Sequence, residues 1–283
     1  MTAVGLAAVS AFLFGAMTVL VRAALRRGVA AESGTLVTVS VALAITAANA
    51  LARGEWDLSS AWAFLLAGLL APGLSQILFT FAVRDAGASR TSVTVGTAPL
   101  FAVMIALVFL DEPVVAGLLL GAALIVTGGI LLAAERGRPQ HFRRVGVVFA
   151  LGATLAFALR DSLIRWLGTE ATDVEPGLAA CATMVTATVV TLAFVAAVRA
   201  RPTRRAVRAF LPAGVCYGLS YITLFEAFFA GRVSVVSPIV ATESLWGVTL
   251  SWLFLRDQER VGLRLALGAV CIVAGGVLIG VFR

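Results

Sequence analysis

Residues 88–110 read ASRTSVTVGTAPLFAVMIALVFL, and residues 233–255 read VSVVSPIVATESLWGVTLSWLFL. Laid over each other at an offset of 145, Ser89 meets Ser234, Ser92 meets Ser237, Thr97 meets Thr242, Leu100 meets Leu245, and Phe109-Leu110 meets Phe254-Leu255. Ala82 and Ala227 keep the same register upstream. After a two-residue insertion the offset becomes 147, where Glu112 meets Glu259, Gly121-Ala122 meets Gly268-Ala269, and Gly128-Gly129 meets Gly275-Gly276. A register held through three successive apolar runs marks an internal repeat.

Outward from this pair, apolar runs fall near 3–23, 34–52, 61–83, 91–110, 114–134, 146–166, 177–198, 209–230, 234–255 and 262–282. A bilayer-spanning helix needs about 20 apolar residues, so the pattern predicts ten transmembrane helices. The longest polar connector, residues 135–144, divides the chain into repeats at 1–139 and 140–283. Five helices per repeat is an odd number, so the second copy enters the membrane upside down, as an inverted repeat. Such a pair opens a central site alternately to each side, an architecture common among secondary transporters.

Composition agrees with this class. The 283 residues are 60% hydrophobic and 13% charged, with a mean hydropathy of +1.01, against about 45–50% apolar and about 25% charged in soluble domains. The apolar segments are continuous rather than alternating, which predicts an all-α polytopic membrane protein and not an outer-membrane barrel. Met1 to Leu20 has no basic segment ahead of its apolar run and reads as a retained first span.

All 22 cationic residues are arginine, and the formal net charge is +7. Of these arginines 17 lie in the connectors after spans one, three, five, seven and nine, and five on the other face. The positive-inside rule then places both termini outside. No soluble basic surface exists to bind nucleic acid. Cys181, Cys216 and Cys271 sit in apolar runs and read as small buried hydrophobes. The one histidine, His141, is in the central connector. No Walker A motif and no cluster at metal-ligand spacing occurs, so neither an enzyme, a metal nor a cofactor is expected.

The pattern resembles the drug/metabolite transporter superfamily in its ten-helix form with two EamA-like repeats. In the first copy the resemblance rests on Phe14-Gly15, Phe81-Ala82, Gly87-Ala88-Ser89, Thr97-Ala98-Pro99-Leu100-Phe101 and Leu110-Asp111-Glu112. The second copy supplies Glu226-Ala227, Val233-Ser234, Glu243-Ser244-Leu245-Trp246, Leu255 to Glu259 and Gly268 to Gly280. It departs from the family where Phe14 replaces a frequent Trp and where Ser244 follows Glu243 in place of Pro. The resemblance implies a cavity lined by spans one, three, four, six, eight and nine, both termini inside, and in bacteria the export of amino acids, metabolites or drugs.

Ionisable groups inside a membrane are costly and mark function. Glu243, in the middle of the ninth run, is the sharpest candidate, as a counter-ion for a substrate amine or as a proton carrier. It could equally be paired to an arginine. Trp246 is one turn on and Tyr221 is mid-span in the preceding helix, an aromatic wall suited to an organic cation. Glu226 and Arg160 lie at similar depth, so an ion pair that locks one gate is expected there. Gln76, Thr80, Thr97, Ser220 and Thr242 are polar residues at mid-depth on the helices that the resemblance assigns to the cavity. Ser and Thr hydroxyls also bond their own helix comfortably. Gly117-x3-Gly121 and Gly276-x3-Gly280 read as close-packing motifs of scaffold helices or as a dimer face.

The expected protein is an inner-membrane secondary or facilitative transporter, monomeric or homodimeric, that moves a small organic metabolite outward, coupled to protons if Glu243 titrates. A lipid-handling or assembly protein without a soluble substrate is the alternative.

Overall fold

The computed structural model describes residues 2–55, 61–101, 116–133, 142–168, 172–255 and 262–282. Among them every regular element is helical. The first half supplies α1 (Ala3–Leu25), α2 (Ala31–Arg53), α3 (Trp62–Gly68), a π-helical turn (Leu69–Leu74), α4 (Ser75–Ala86), α5 (Ala88–Val95) and α6 (Ala116–Ala133). The second supplies α7 (Val145–Trp166), α8 (Pro176–Ala197), α9 (Arg204–Ala230), α10 (Val233–Val240), α11 (Glu243–Phe254) and α12 (Leu263–Phe282). Seven stretches are long and apolar enough to cross a membrane, namely α1, α2, the run from α3 through α4, α7, α8, α9 and α12. The protein is an all-α, polytopic integral membrane protein.

The expected count of ten is not reached among the described residues. The fourth run is described only to residue 101, α6 contributes the shorter apolar stretch Leu119–Leu131, and the ninth run is divided between α10 and α11. The paired motifs at 110–112 and 256–259 lie outside the described residues, as does His141.

The interruptions have local causes. Ala71, at φ −143° and ψ 117°, leaves the helical region because the Pro72 ring crowds the residue before it. The fourth and ninth runs break at positions that the offset of 145 equates. Both α5 and α10 stop after eight residues, a tight turn follows at Gly96-Thr97 and at Ala241-Thr242, and helix resumes at Ala98 and at Glu243. In each turn the threonine hydroxyl donates to the carbonyl three residues back, Thr97 to Thr94 and Thr242 to Ile239, both at 2.6 Å. Pro99 and Pro238, which have no amide N–H, stand close to the two breaks.

Exchanging one half of the chain for the other maps the packing onto itself. Helix α1 lies on α9 and α10 as α7 lies on α4 and α5, while α2 packs on α8 and α6 on α12. Two arginines repeat the correspondence. Arg22 Nη1, near the end of α1, donates to the carbonyls of Val83 (3.1 Å) and Arg84 (2.8 Å) at the end of α4. Arg165 Nη1, near the end of α7, donates to those of Phe228 (2.9 Å) and Phe229 (3.1 Å) at the end of α9. Each adds a donor to carbonyls in the last turn of a helix, where intrahelical N–H partners run out. Arg165 is therefore turned inward onto α9.

The pair α6 and α12 forms a glycine seam. Gly117 faces Phe282, Gly121 faces Gly275 and Ile279, and Gly128 faces Gly268 and Ile272. Numbers rise along one helix as they fall along the other, so the two run antiparallel. A Cβ on Gly121 would come within 2.7 Å of the Gly275 carbonyl oxygen, and one on Gly275 within 2.5 Å of the Gly121 carbonyl oxygen. The motif expected at Gly276 is displaced by one residue: Gly275 makes the seam, and Gly276 lies against Pro99.

Candidate functional site

Where the two broken runs meet, α1, α4, α7 and α9 bring an aromatic cluster into the core. Phe14 packs edge-on against Phe79 (5.3 Å between centroids), Phe157 (5.6 Å) and Tyr217 (6.0 Å), and Tyr217 against Tyr221 (4.9 Å). One helical turn beyond Phe157, Arg160 lays its guanidinium 4.8 Å over the Phe157 ring and 5.6 Å over that of Tyr221.

Arg160 and Asp161 are both buried and form an ion pair. Nε and Nη2 donate to Asp161 Oδ1 at 2.9 and 2.7 Å, and Nη1 donates to Tyr221 Oη at 3.3 Å. Sequence neighbours on a helix point about 100° apart, and the long arginine side chain covers that angle. Ser237 of α10 lines the same void as Asp161.

Glu243 opens α11 immediately after the break and is 7% exposed. A carboxylate is favoured there by the positive end of the helix dipole. No side chain or backbone group among the described residues donates to it. It lines a void of about 20 Å³ with Pro99, Phe157, Arg160, Asp161 and Ser237. That is room for one water, so the site is closed around its charges.

The other sequence candidates separate into two groups. Thr80 donates to the Gln76 carbonyl (2.9 Å), Thr97 and Thr242 to their own turns, and Ser220 exchanges hydrogen bonds with Ser10 of α1 at 3.0 and 3.1 Å. These four hydroxyls serve helix and helix contact. Gln76 is fully buried, and neither its amide nitrogen nor its amide oxygen has a partner among the described residues. Trp246 is 40% exposed and stands edge-on to Phe12 at 5.1 Å, away from the void. Trp246→Ala should change transport by no more than about twofold, the usual size of a surface substitution, measured as initial uptake into proteoliposomes.

The expected pair of Glu226 with Arg160 does not form. Glu226 pairs with Arg53, which also holds Glu55 at 2.8 Å. Glu55 Oε2 in turn accepts from the Leu178 amide at 2.8 Å in the first turn of α8. At the other end of the bundle Arg84 grips Asp85 with two bonds of 2.9 Å, and Arg143 and Glu32 complete a second ionic cluster. Arg53 is 44% exposed, so Glu226→Gln should cost no more than about 1 kcal/mol. Glu55→Gln should cost more, about 1–3 kcal/mol, because a buried acceptor of a helix N–H is weakened. Thermal melts in one detergent decide the order.

Phe14, Phe79, Phe157, Asp161 and Ser237 were not singled out as site residues from sequence. The Arg160-Asp161 doublet inside an apolar run was the available signal for Asp161; the phenylalanines are indistinguishable from packing residues without their neighbours.

The model of the EamA-like transporter family matches residues 1–134 and again residues 144–281. The chain belongs to the EamA-like transporter family. The two matches are its two repeats, and as a member of this transporter family the protein is a membrane transporter rather than an enzyme. A solved structure described as "Crystal structure of protein" shares the fold of this EamA-like chain at 17% identity, with a TM-score of 0.64 over 95% of this chain and 96% of the other. No curated protein matches it.

Proposed function

We propose that this EamA-like protein is a secondary active or facilitative transporter that exports a small organic metabolite, an amino acid, an amine or a drug. Transport proceeds by alternating access around the void between Arg160, Asp161 and Glu243. The observation that carries this reading is Glu243, a buried carboxylate with no hydrogen-bond donor among the described residues, where the two broken runs meet. Intramembrane charges that merely stabilise are paired; this one is available to a substrate or a proton.

Residues 1–139 and 140–283 act as two inverted repeats. Three features support this: the antiparallel α6 and α12, the matched breaks after α5 and α10, and the matched arginine contacts of α1 and α7. Rocking of such repeats exposes a central site to each side in turn. Glu243 exchanges a proton against substrate, and the Arg53 cluster closes one end. The arginine distribution orients both termini outside a bacterial inner membrane, with the protein a monomer or a homodimer.

One observation favours the second reading, a lipid-handling protein. An apolar groove of about 370 Å³, bordered by Trp62, Leu66, Leu163 and Trp166, opens on the flank of α3 and α7. A thermal-shift screen of the purified chain separates the two. Amino acids, polyamines, quaternary amines, nucleosides and sugar phosphates are tested on wild type and Glu243→Gln. A compound that raises the melting temperature of the wild type alone supports transport at Glu243. Stabilisation by phospholipid and by none of these compounds supports lipid handling.

A further inference from the structure

Two connectors far apart in sequence gather arginines at one end of the bundle. The segment after α1 carries Arg26 and Arg27, and the entry to α9 carries Arg201, Arg204, Arg205 and Arg208. Direct contacts hold them side by side. Ser33 donates to the Arg201 carbonyl at 3.3 Å, Arg205 donates to the Arg27 carbonyl, and the Phe210 ring packs on Gly34. All six arginines are exposed, and none pairs with a carboxylate among the described residues. Glu32, at the start of α2, pairs with Arg84 instead.

This arrangement works against the fold. Arg204, Arg205 and Arg208 stand in the first two turns of α9, and its first turn has no acidic residue. Cations there oppose the positive end of the helix dipole, and Arg204 and Arg208 are four residues apart, where like charges repel. An anion laid across both connectors relieves the repulsion. The surroundings say where that anion comes from. Val207 and Leu211 continue the face of Arg204 and Arg208 along α9, a helix long and apolar enough to cross the membrane, and are 42% and 46% exposed. Cations above an apolar strip match the two parts of a phospholipid, its phosphate and its acyl chain.

We propose that this surface binds an anionic phospholipid, its phosphate shared between the arginines of the two connectors and an acyl chain lying along Val207 and Leu211. The lipid is a clamp between the start of α9 and the α1–α2 connector, and not cargo. It sits at the opposite end of the bundle from the groove at Trp62 and Trp166: Trp166 closes α7, whose other end packs through Gly146 on Asp85, beside Arg84 and Glu32. The proposal does not depend on how the void at Glu243 is read.

The test uses the purified full chain, stripped of lipid in a neutral detergent. The probes are phosphatidylglycerol, cardiolipin, phosphatidylcholine and inorganic phosphate, with bound lipid counted by native mass spectrometry and stability read by thermal shift. Each arginine near an anionic lipid surface contributes roughly fivefold, so three contribute roughly 100-fold. Phosphatidylglycerol and cardiolipin should bind at least about 100-fold more tightly than phosphatidylcholine and raise the melting temperature, and inorganic phosphate should do neither. Arg204→Gln, Arg205→Gln and Arg208→Gln combined should remove that preference and leave phosphatidylcholine binding unchanged. The three Lys substitutions keep the charge and should keep the preference, which separates loss of the site from misfolding. Equal binding of anionic and zwitterionic lipid overturns the proposal. A preference that survives the three Gln substitutions overturns it too, since the lipid then sits on another surface. Stabilisation by inorganic phosphate equal to that by lipid overturns it by making the ligand a soluble anion. The wild-type series is decisive even if a variant fails to fold, and the reading of Glu243 stands or falls separately.

Discussion

Glu243→Gln is expected to lower substrate flux by roughly 100-fold and to remove the response of flux to an imposed pH gradient, with the melting temperature nearly unchanged. The amide has the shape of the acid, and Glu243 gives up no hydrogen bond or ion pair among the described residues when its charge is removed, so the fold has little to lose. The substrate has much to lose. Truncating one partner of a desolvated charge pair costs about 2–5 kcal/mol, and about 3 kcal/mol is a factor of roughly 100. Reconstituted protein in liposomes, loaded with the compound found by thermal shift, reads both quantities in one experiment. Flux and pH profile indistinguishable from wild type would show that Glu243 neither binds nor couples. A loss of flux that keeps its pH response would retain the binding role and move the proton elsewhere.

Gly275→Leu should damage the fold rather than the chemistry. The new Cβ meets the Gly121 carbonyl oxygen at 2.5 Å and Ile125 Cγ1 at 2.8 Å. The first of these is backbone on an opposing helix and has no rotamer by which to retreat. Helices α6 and α12 must separate, and inside a bilayer no hydrophobic effect returns them, because association there depends on close packing. Overpacking of this kind costs about 3 kcal/mol, which lowers the melting temperature by roughly 10 °C in a chain of this size. Gly129→Leu is the control on the facing helix, since nothing lies within 4 Å of a Cβ there. Equal melting temperatures for the two variants would refute the seam.

Much of this was legible from residue order. The offset of 145 paired Thr97 with Thr242, where both runs break, but the runs read as continuous helices because their apolar composition does not mark the turns. Glu243 stood out because a charge in that setting demands a reason. What failed depended on geometry that periodicity does not carry. Counting three residues from Glu243 placed Trp246 on its face, but Glu243 is the first residue of α11 and its side chain points back past the helix start, whereas Trp246 leans outward onto Phe12. The partner of Glu226 lies 173 residues away at Arg53, a separation no local pattern encodes. The hydroxyls of Thr80, Thr97 and Thr242 were polar letters at the right depth, yet each is spent on a carbonyl three or four residues back.

The glycine seam also sets an order of assembly. It joins Gly117 to Phe282 and Gly128 to Gly268, so no part of it can close until the last helix has left the ribosome and entered the bilayer. Until then α6 waits with three notches filled only by lipid. A chain halted before α12 is left with this face of α6 unfastened.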